Sequence, residues 1–224
     1  MIPWELLGVA KVPGAGKELR LYRRGDEYAI RVDTYELMNS YVHGSEEALA
    51  ELACARIADR PRARVLIGGL GMGYTAAAAL TRLGPKAMVV VAELVPAVVA
   101  WNRGPLAHLA GHPLEDRRVI VRETDVTRIL RADIGYYDAI LLDVDNGPDG
   151  LTSRGNNWLY GPAGLKTSHE ALRPGGVLAV WSAGPDRAFS KQLHKAGFEV
   201  EEVHVRARGA RGGSRRTIWL AGRR

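Results

Sequence analysis

The 224-residue sequence predicts a doubly wound α/β fold with a mostly parallel sheet, preceded by a small N-terminal β-hairpin region. Three observations predict it. Short apolar runs at residues 65–67, 88–92, 119–121, 139–142 and 177–181 alternate with segments of helical spacing, the pattern of strands covered on both faces. Glycine-rich turns join several of these runs to the helix that follows. The two closing runs, 199–205 and 216–221, are linked only by the Gly-rich segment 208–214, too short for a parallel crossover, so they should pair antiparallel.

Each element has a local reason. Residues 18–22 and 28–32 alternate in polarity around Arg24-Gly25-Asp26-Glu27, a hairpin signal. Ser45 reads as an N-cap ahead of Glu46 and Glu47, whose charges suit a helix start. That helix continues over 48–58 and stops before Pro61. The run 65–67 ends in Gly68-Gly-Leu-Gly-Met-Gly73, and the helix 74–83 then stops at Gly84-Pro85. Pro96 sits early in the next helix, where its missing N–H costs nothing. Residues 159–172 read as a helix closed by Arg173-Pro-Gly-Gly176, and 186–196 as another ending at Gly197. The division expected is a hairpin region over 1–44 and a Rossmann-like domain over 45–224.

Composition narrows the class. Hydrophobic residues make up 46% and charged residues 25%, ordinary for a globular chain and unlike a disordered one. No stretch approaches the ~20 apolar residues of a membrane span. The start, MIPWELLGVAKVPG, has neither a basic opening nor an apolar signal core, so a cytoplasmic location is expected. Cys54 is the only cysteine, which excludes an intrachain disulfide and a cysteine-cluster metal site. His108 and His112 are four apart, but Gly111-His112-Pro113 argues against a helix there, so no metal is expected. The net charge of +6 is local: seven arginines and no acid lie between Val205 and Arg224, and the remainder holds 24 basic against 25 acidic residues. Without aromatic interleaving beyond Trp219, this reads as a solvated hairpin, and nucleic acid is not the expected partner.

The chemistry-bearing segments follow the strands. Gly69, Gly71 and Gly73 permit a tight turn where a ligand can approach the backbone near a helix N-terminus, in the crevice beyond the strand C-termini. Glu93 closes the second strand about twenty residues on, where a carboxylate can accept from both ribose hydroxyls. The segment Gly71-Met-Gly73-Tyr-Thr-Ala76 fits a nicotinamide pattern, but G-x-G-x-G with acids after the third and fourth strands, Asp125 and Asp143, and an antiparallel closing hairpin favours S-adenosylmethionine.

The ordered set Val65-Leu-Ile-Gly-Gly-Leu-Gly-Met-Gly73, Ala92-Glu93, Thr124-Asp125, Leu141-Leu-Asp-Val-Asp-Asn146 and Trp158-Leu-Tyr160 resembles the spermidine synthase family of aminopropyltransferases. The resemblance spans roughly residues 18–182. It implies a class I S-adenosylmethionine-methyltransferase-like sheet, a homodimer, and S-adenosylmethionine or its decarboxylated form as cofactor. It implies that Gly68, Gly69, Gly71 and Gly73 form the cofactor loop, that Glu93 holds the ribose, that Asp125 and Val126 face the adenine, and that Asn39 lies near the methionine-derived chain. Asp143 and Asp145 become the candidate catalytic carboxylates, with Asn146 and Tyr160 on the acceptor side. The loop 146–160 is long for such a connection and reads either as a lid over the acceptor site or as a mobile surface loop.

Three departures qualify what is implied. Gly71 stands where the family has an aspartate facing the amine of the decarboxylated donor. Asn146 replaces the second aspartate of D-x-x-D, and the Tyr-His pair that helps hold a polyamine is not seen around 46–50. Binding a chain of ammonium groups needs several acceptors, and part of that set is gone, so spermidine is not the expected product. Loss of the aspartate also removes repulsion toward a donor carboxylate, which points to intact S-adenosylmethionine. The expected function is a transferase acting on a small, amine-bearing acceptor. A small-molecule methyltransferase, an RNA or DNA methyltransferase and a non-catalytic nucleoside-binding module are the alternatives.

Overall fold

The structure, a computed structural model, describes residues 2–14, 16–143 and 156–224, without the side chains of 156 and 157. The N-terminal region is larger than a hairpin. Strands β1 (Glu5–Lys11), β2 (Glu18–Arg24), β3 (Glu27–Val32) and β4 (Tyr35–Asn39) form a four-stranded antiparallel meander in chain order. The hairpin expected from the alternation is β2–β3. The outer strands escape that signal for physical reasons. β1 is an edge strand that leaves Leu6, Leu7 and Val9 exposed, and a register shift between Leu6 and Gly8 interrupts its alternation. β4 is only five residues long and has its own register shift opposite Ile30/Arg31.

Helix α1 (Gly44–Ala55) follows, with His43 rather than Ser45 at the N-cap and no side-chain cap hydrogen bond. Ser45 is buried inside the first turn, beside Glu46 and Glu47, which sit at the positive end of the helix as expected.

The alternating part runs β5 (Arg64–Gly68), α2 (Tyr74–Arg82), β6 (Met88–Glu93), α3 (Pro96–Arg103), β7 (Val119–Glu123), α4 (Val126–Ala132) and β8 (Tyr137–Leu142). It continues with α5 (Asn156–Leu159), α6 (Pro162–Ala171), β9 (Leu172–Ser182), α7 (Arg187–Lys195), β10 (Glu199–Arg206) and β11 (Arg215–Gly222). The single helix expected over 159–172 is therefore two, because Gly161-Pro162 starts a new one with proline in its first turn. The Arg173-Pro-Gly-Gly176 segment belongs to β9 instead of ending a helix.

The seven-stranded sheet has the order β10-β11-β9-β8-β5-β6-β7. Neighbours from β7 to β9 pair in parallel, and β11 is antiparallel to both β9 and β10, as the short final link requires. Alternate strand residues divide the core. Val65, Ile67, Val89, Val91, Leu141 and Ile218 face one cluster, which also contains Leu21 and Ile30 of the N-terminal sheet and Leu49 of α1. Leu66, Val90, Ile140, Leu178 and Trp219 face the other, with Leu130, Leu165, Phe189 and Leu193 from α4, α6 and α7. The N-terminal sheet is thus packed on one face of the wound sheet and roofs the crevice at its edge. At the opposite end of the strands, buried Asp138 accepts from Arg60, Arg173 and the Arg64 backbone N–H, the last at 2.7 Å.

Candidate active site

The carboxyl ends of β5, β6, β7 and β8 converge on one crevice. After β5 the chain turns through the glycine loop, anchored where Gly69 N–H donates to the Ala92 carbonyl at 2.9 Å. Gly71 has φ +55°, a left-handed value that side chains resist. A Cβ there would also stand 3.3 Å from Met38 Sδ, so a side chain at position 71 would require the methionine to shift. The loop is held from behind by Asn102, whose Nδ2 donates to the Gly71 and Val98 carbonyls at 2.8 and 2.9 Å.

Glu93 is buried, with 8% of its surface exposed. Its two oxygens accept from Leu70 N–H at 2.9 Å and from Val95 N–H at 2.8 Å. One carboxylate therefore fixes both the glycine loop and the entry to α3. Asp125 caps α4, accepting from Thr127 N–H at 2.8 Å.

Two adjoining cavities occupy the crevice. Gly69, Gly71, Glu93, Asp125, Val126 and Asp143 line the first, and Leu37 and Met38 of β4 cover it. Leu37, Met38 and Asp143 are shared with the second, which continues to Asn39, Glu46, Trp181, Arg208 and Arg216. Asp143 stands at the passage between them.

Six of the residues singled out in the sequence therefore meet in the first cavity. Gly68 and Gly73 support it: the Gly68 carbonyl accepts from Asp143 N–H at 3.1 Å, and Gly73 is the N-cap of α2. Asn39 lines the second cavity, with its amide tied to Glu36 at 2.7 Å and its oxygen accepting from Tyr41 N–H at 3.0 Å. Tyr160 is not brought to either cavity. It is buried in the opposite core, edge-on to Phe189 at 5.8 Å. Asp145, Asn146 and most of the loop 146–160 lie outside the described residues.

Sequence reasoning missed Glu46, Thr75 and Asn102. Thr75, in the first turn of α2, donates to Asp143 Oδ2 at 2.8 Å. Burial pushes the Asp143 carboxyl up to about 6 against the opposing pull of that hydrogen bond. Glu46 is held well above the usual carboxylate range by burial, then by the charges of Asp143 and Glu47. An acid raised by the charge of its neighbours resists ionising beside them, so Glu46 keeps its proton to higher pH than a solvated glutamate. Tyr74 extends the group: its hydroxyl donates to the Ser40 carbonyl at 3.1 Å, its ring stacks on His43 at 4.2 Å, and burial raises it to about 12. Burial likewise pushes the Cys54 thiol up to about 12, far from a reactive thiolate.

Among the described residues no group of three or more His, Cys, Asp or Glu side chains is placed to hold a metal. No described helix is long and apolar enough to cross a membrane.

No family model matches the sequence, and a search of curated proteins returns no match. Solved structures do match. The spermidine synthase from Thermotoga maritima superposes with a TM-score of 0.76 at 15% identity, covering 98% of this chain and 73% of that one. A spermidine synthase in complex with the transition state analogue AdoDATO gives 0.75 at 15% identity, covering 98% and 72%. A probable spermidine synthase from Corynebacterium glutamicum gives 0.64 at 17% identity, covering 98% and 80%. The chain has a spermidine synthase-like fold.

Proposed function

We propose that the protein is an S-adenosylmethionine-dependent transferase that alkylates a small amine. One observation carries this reading: Asp143, with its raised carboxyl, is common to a cavity built on the glycine loop and Glu93 and to a second cavity beside it. The residues present fit an adenosyl sulfonium. A carboxylate accepts up to about four hydrogen bonds, so Glu93 can serve a ribose while holding Leu70 and Val95. Asp125 and Val126 stand at the far end of the same cavity for the base, and Leu37, Met38 and Val98 supply its apolar walls.

S-adenosylmethionine supplies an electrophilic carbon on sulfur: the acceptor nitrogen's lone pair forms the new C–N bond as the C–S bond breaks and sulfur keeps the electron pair. The chain's own work is positioning and proton removal. Asp143 takes the proton that the amine loses, Thr75 orients its Oδ2, and Glu46 tunes the pair by charge. Met38 and Leu37 separate the donor chamber from bulk water. Intact S-adenosylmethionine is favoured over the decarboxylated form because position 71 offers a bare backbone and no carboxylate to repel the donor's own.

A ligand comparison tests this. S-adenosylmethionine, decarboxylated S-adenosylmethionine, methylthioadenosine and NADH are compared by thermal shift, since a ligand of the folded state stabilises in proportion to the logarithm of its concentration over Kd. Adenosyl ligands should stabilise and NADH should not; stabilisation by NADH alone overturns the reading. The by-product identifies the bond broken: S-adenosylhomocysteine reports methyl transfer, and methylthioadenosine reports transfer of the chain on sulfur, aminopropyl from the decarboxylated donor and aminocarboxypropyl from intact S-adenosylmethionine. A tenfold tighter binding of the decarboxylated donor, ~1.4 kcal/mol, overturns the donor assignment.

A further inference from the structure

The second cavity has an acidic end and a basic end. Glu46 and Asp143 supply the first, Arg208 and Arg216 the second. Neither arginine makes an ion pair with any described residue, whereas Arg56, Arg224 and Arg60 elsewhere on the fold pair with Glu201, Glu199 and Asp138. Arg208 has no side-chain hydrogen bond among the described residues. Among the described residues Arg216 reaches the carbonyls of Ala183 and Arg215, at 3.4 and 3.5 Å, and lies 5.6 Å from the centre of the Trp181 ring.

Two cations and two acids in one cavity would ordinarily neutralise each other. Here they do not. No ion pair among the described residues joins Arg208 or Arg216 to Glu46 or Asp143, and the backbone fixes the place of the end that carries Arg208. Arg208 N–H donates to Gly212 O and Ala207 N–H to Ser214 O, both at 2.9 Å, closing the turn between β10 and β11. That turn is pressed on the start of α1, where a Cβ on Gly44 would collide with the Gly209 backbone. The element carrying Arg208 is thus docked against the helical turn carrying Glu46.

We infer that the acceptor carries an anionic group, a carboxylate or a phosphate, opposite its nucleophilic amine, with the amine at Asp143 and Glu46 and the anion at Arg208 and Arg216. Guanidinium groups suit such oxyanions by their planar, forked donors. The same two cations oppose an extended polyamine, whose second ammonium would meet them. This inference rests on the transferase reading above, which places the acceptor in the second cavity.

The test keeps the two separable. Binding of S-adenosylhomocysteine and of methylthioadenosine to the full chain is measured first; absence of both removes the transferase reading, and the tighter of the two is carried forward. With that nucleoside saturating, 1,4-diaminobutane, 4-aminobutanoate and 3-aminopropyl phosphate are titrated by calorimetry. The anionic amines should bind at least tenfold tighter than the diamine, and their order distinguishes carboxylate from phosphate. Arg208→Gln/Arg216→Gln should weaken them about tenfold or more and leave the nucleoside affinity unchanged, which also reports an intact fold. Arg208→Lys/Arg216→Lys should recover part of the loss. Tighter binding of the diamine, no binding of either anionic amine while the nucleoside binds, or indifference to the glutamine substitutions overturns the inference.

Discussion

Leu70 donates its backbone N–H to Glu93 Oε2 at 2.9 Å, and this bond makes the floor of the first cavity and the glycine loop a single unit. Glu93→Ala removes that acceptor and the partner of Val95 N–H together. A buried donor left without a partner costs ~1–3 kcal/mol. The variant should lose stability by about that amount and nucleoside affinity by about a hundredfold. Thermal denaturation and calorimetry check the two losses, and Glu93→Ala with unaltered affinity would remove the nucleoside from this cavity.

Asp143→Asn keeps the shape of the passage and the contact with Thr75 but cannot take a proton. Turnover should fall by ~10²–10⁴, with nucleoside affinity within about threefold of the parent. In the parent, the rate should rise with pH through about 6, where the buried carboxyl ionises, and the variant should lack that limb. Rate–pH profiles measured with saturating acceptor decide it.

The Glu46–Asp143 pair also predicts how stability changes with pH. Both carboxyls are raised in the folded chain, so above the ordinary carboxylate range the folded state holds more protons than the unfolded one, up to about 6 in the case of Asp143. Stability contributed by this pair therefore falls as pH rises through that window. Glu46→Gln removes one of the crowded charges, and its melting temperature should exceed the parent's by about 2–6 °C at pH 7.5 and match it near pH 4. A lower melting temperature at pH 7.5 contradicts the assignment.

Far from the crevice, Asp138 anchors Arg60, Arg173 and the first N–H of β5 with almost none of its side chain exposed. Asp138→Ala strands all three, and breaking a buried pair in this way costs ~3–5 kcal/mol. The arginine ends are partly exposed, so the lower figure is expected. Denaturant titration of the variant, with the slope unchanged, measures it.

What the sequence disclosed depended on how local each signal was. The parallel strands could be read because each is a continuous apolar run, and Gly71 and Glu93 because their spacing follows from one βαβ unit. Glu46 was legible only as a favourable charge at a helix start, since its meeting with Asp143 joins residues almost a hundred positions apart. Thr75 looked like any helix residue until β8 placed a carboxylate above it. Tyr160 shows the converse: the resemblance implied a place on the acceptor side, yet the residue packs against Phe189 in the opposite core. β1 hid because an exposed edge strand has little polarity contrast.

The contact between Gly44 and Gly209 has a consequence for how such a protein can change. Most of the cavity proposed for the donor is encoded between residues 69 and 143, in the middle of the chain, whereas most of the second cavity comes from residues 36–46 and 207–216. Exchanging these outer segments as a matched couple, with Leu37, Met38 and the small residues at their meeting point retained, offers a route to new acceptors that leaves the first cavity intact.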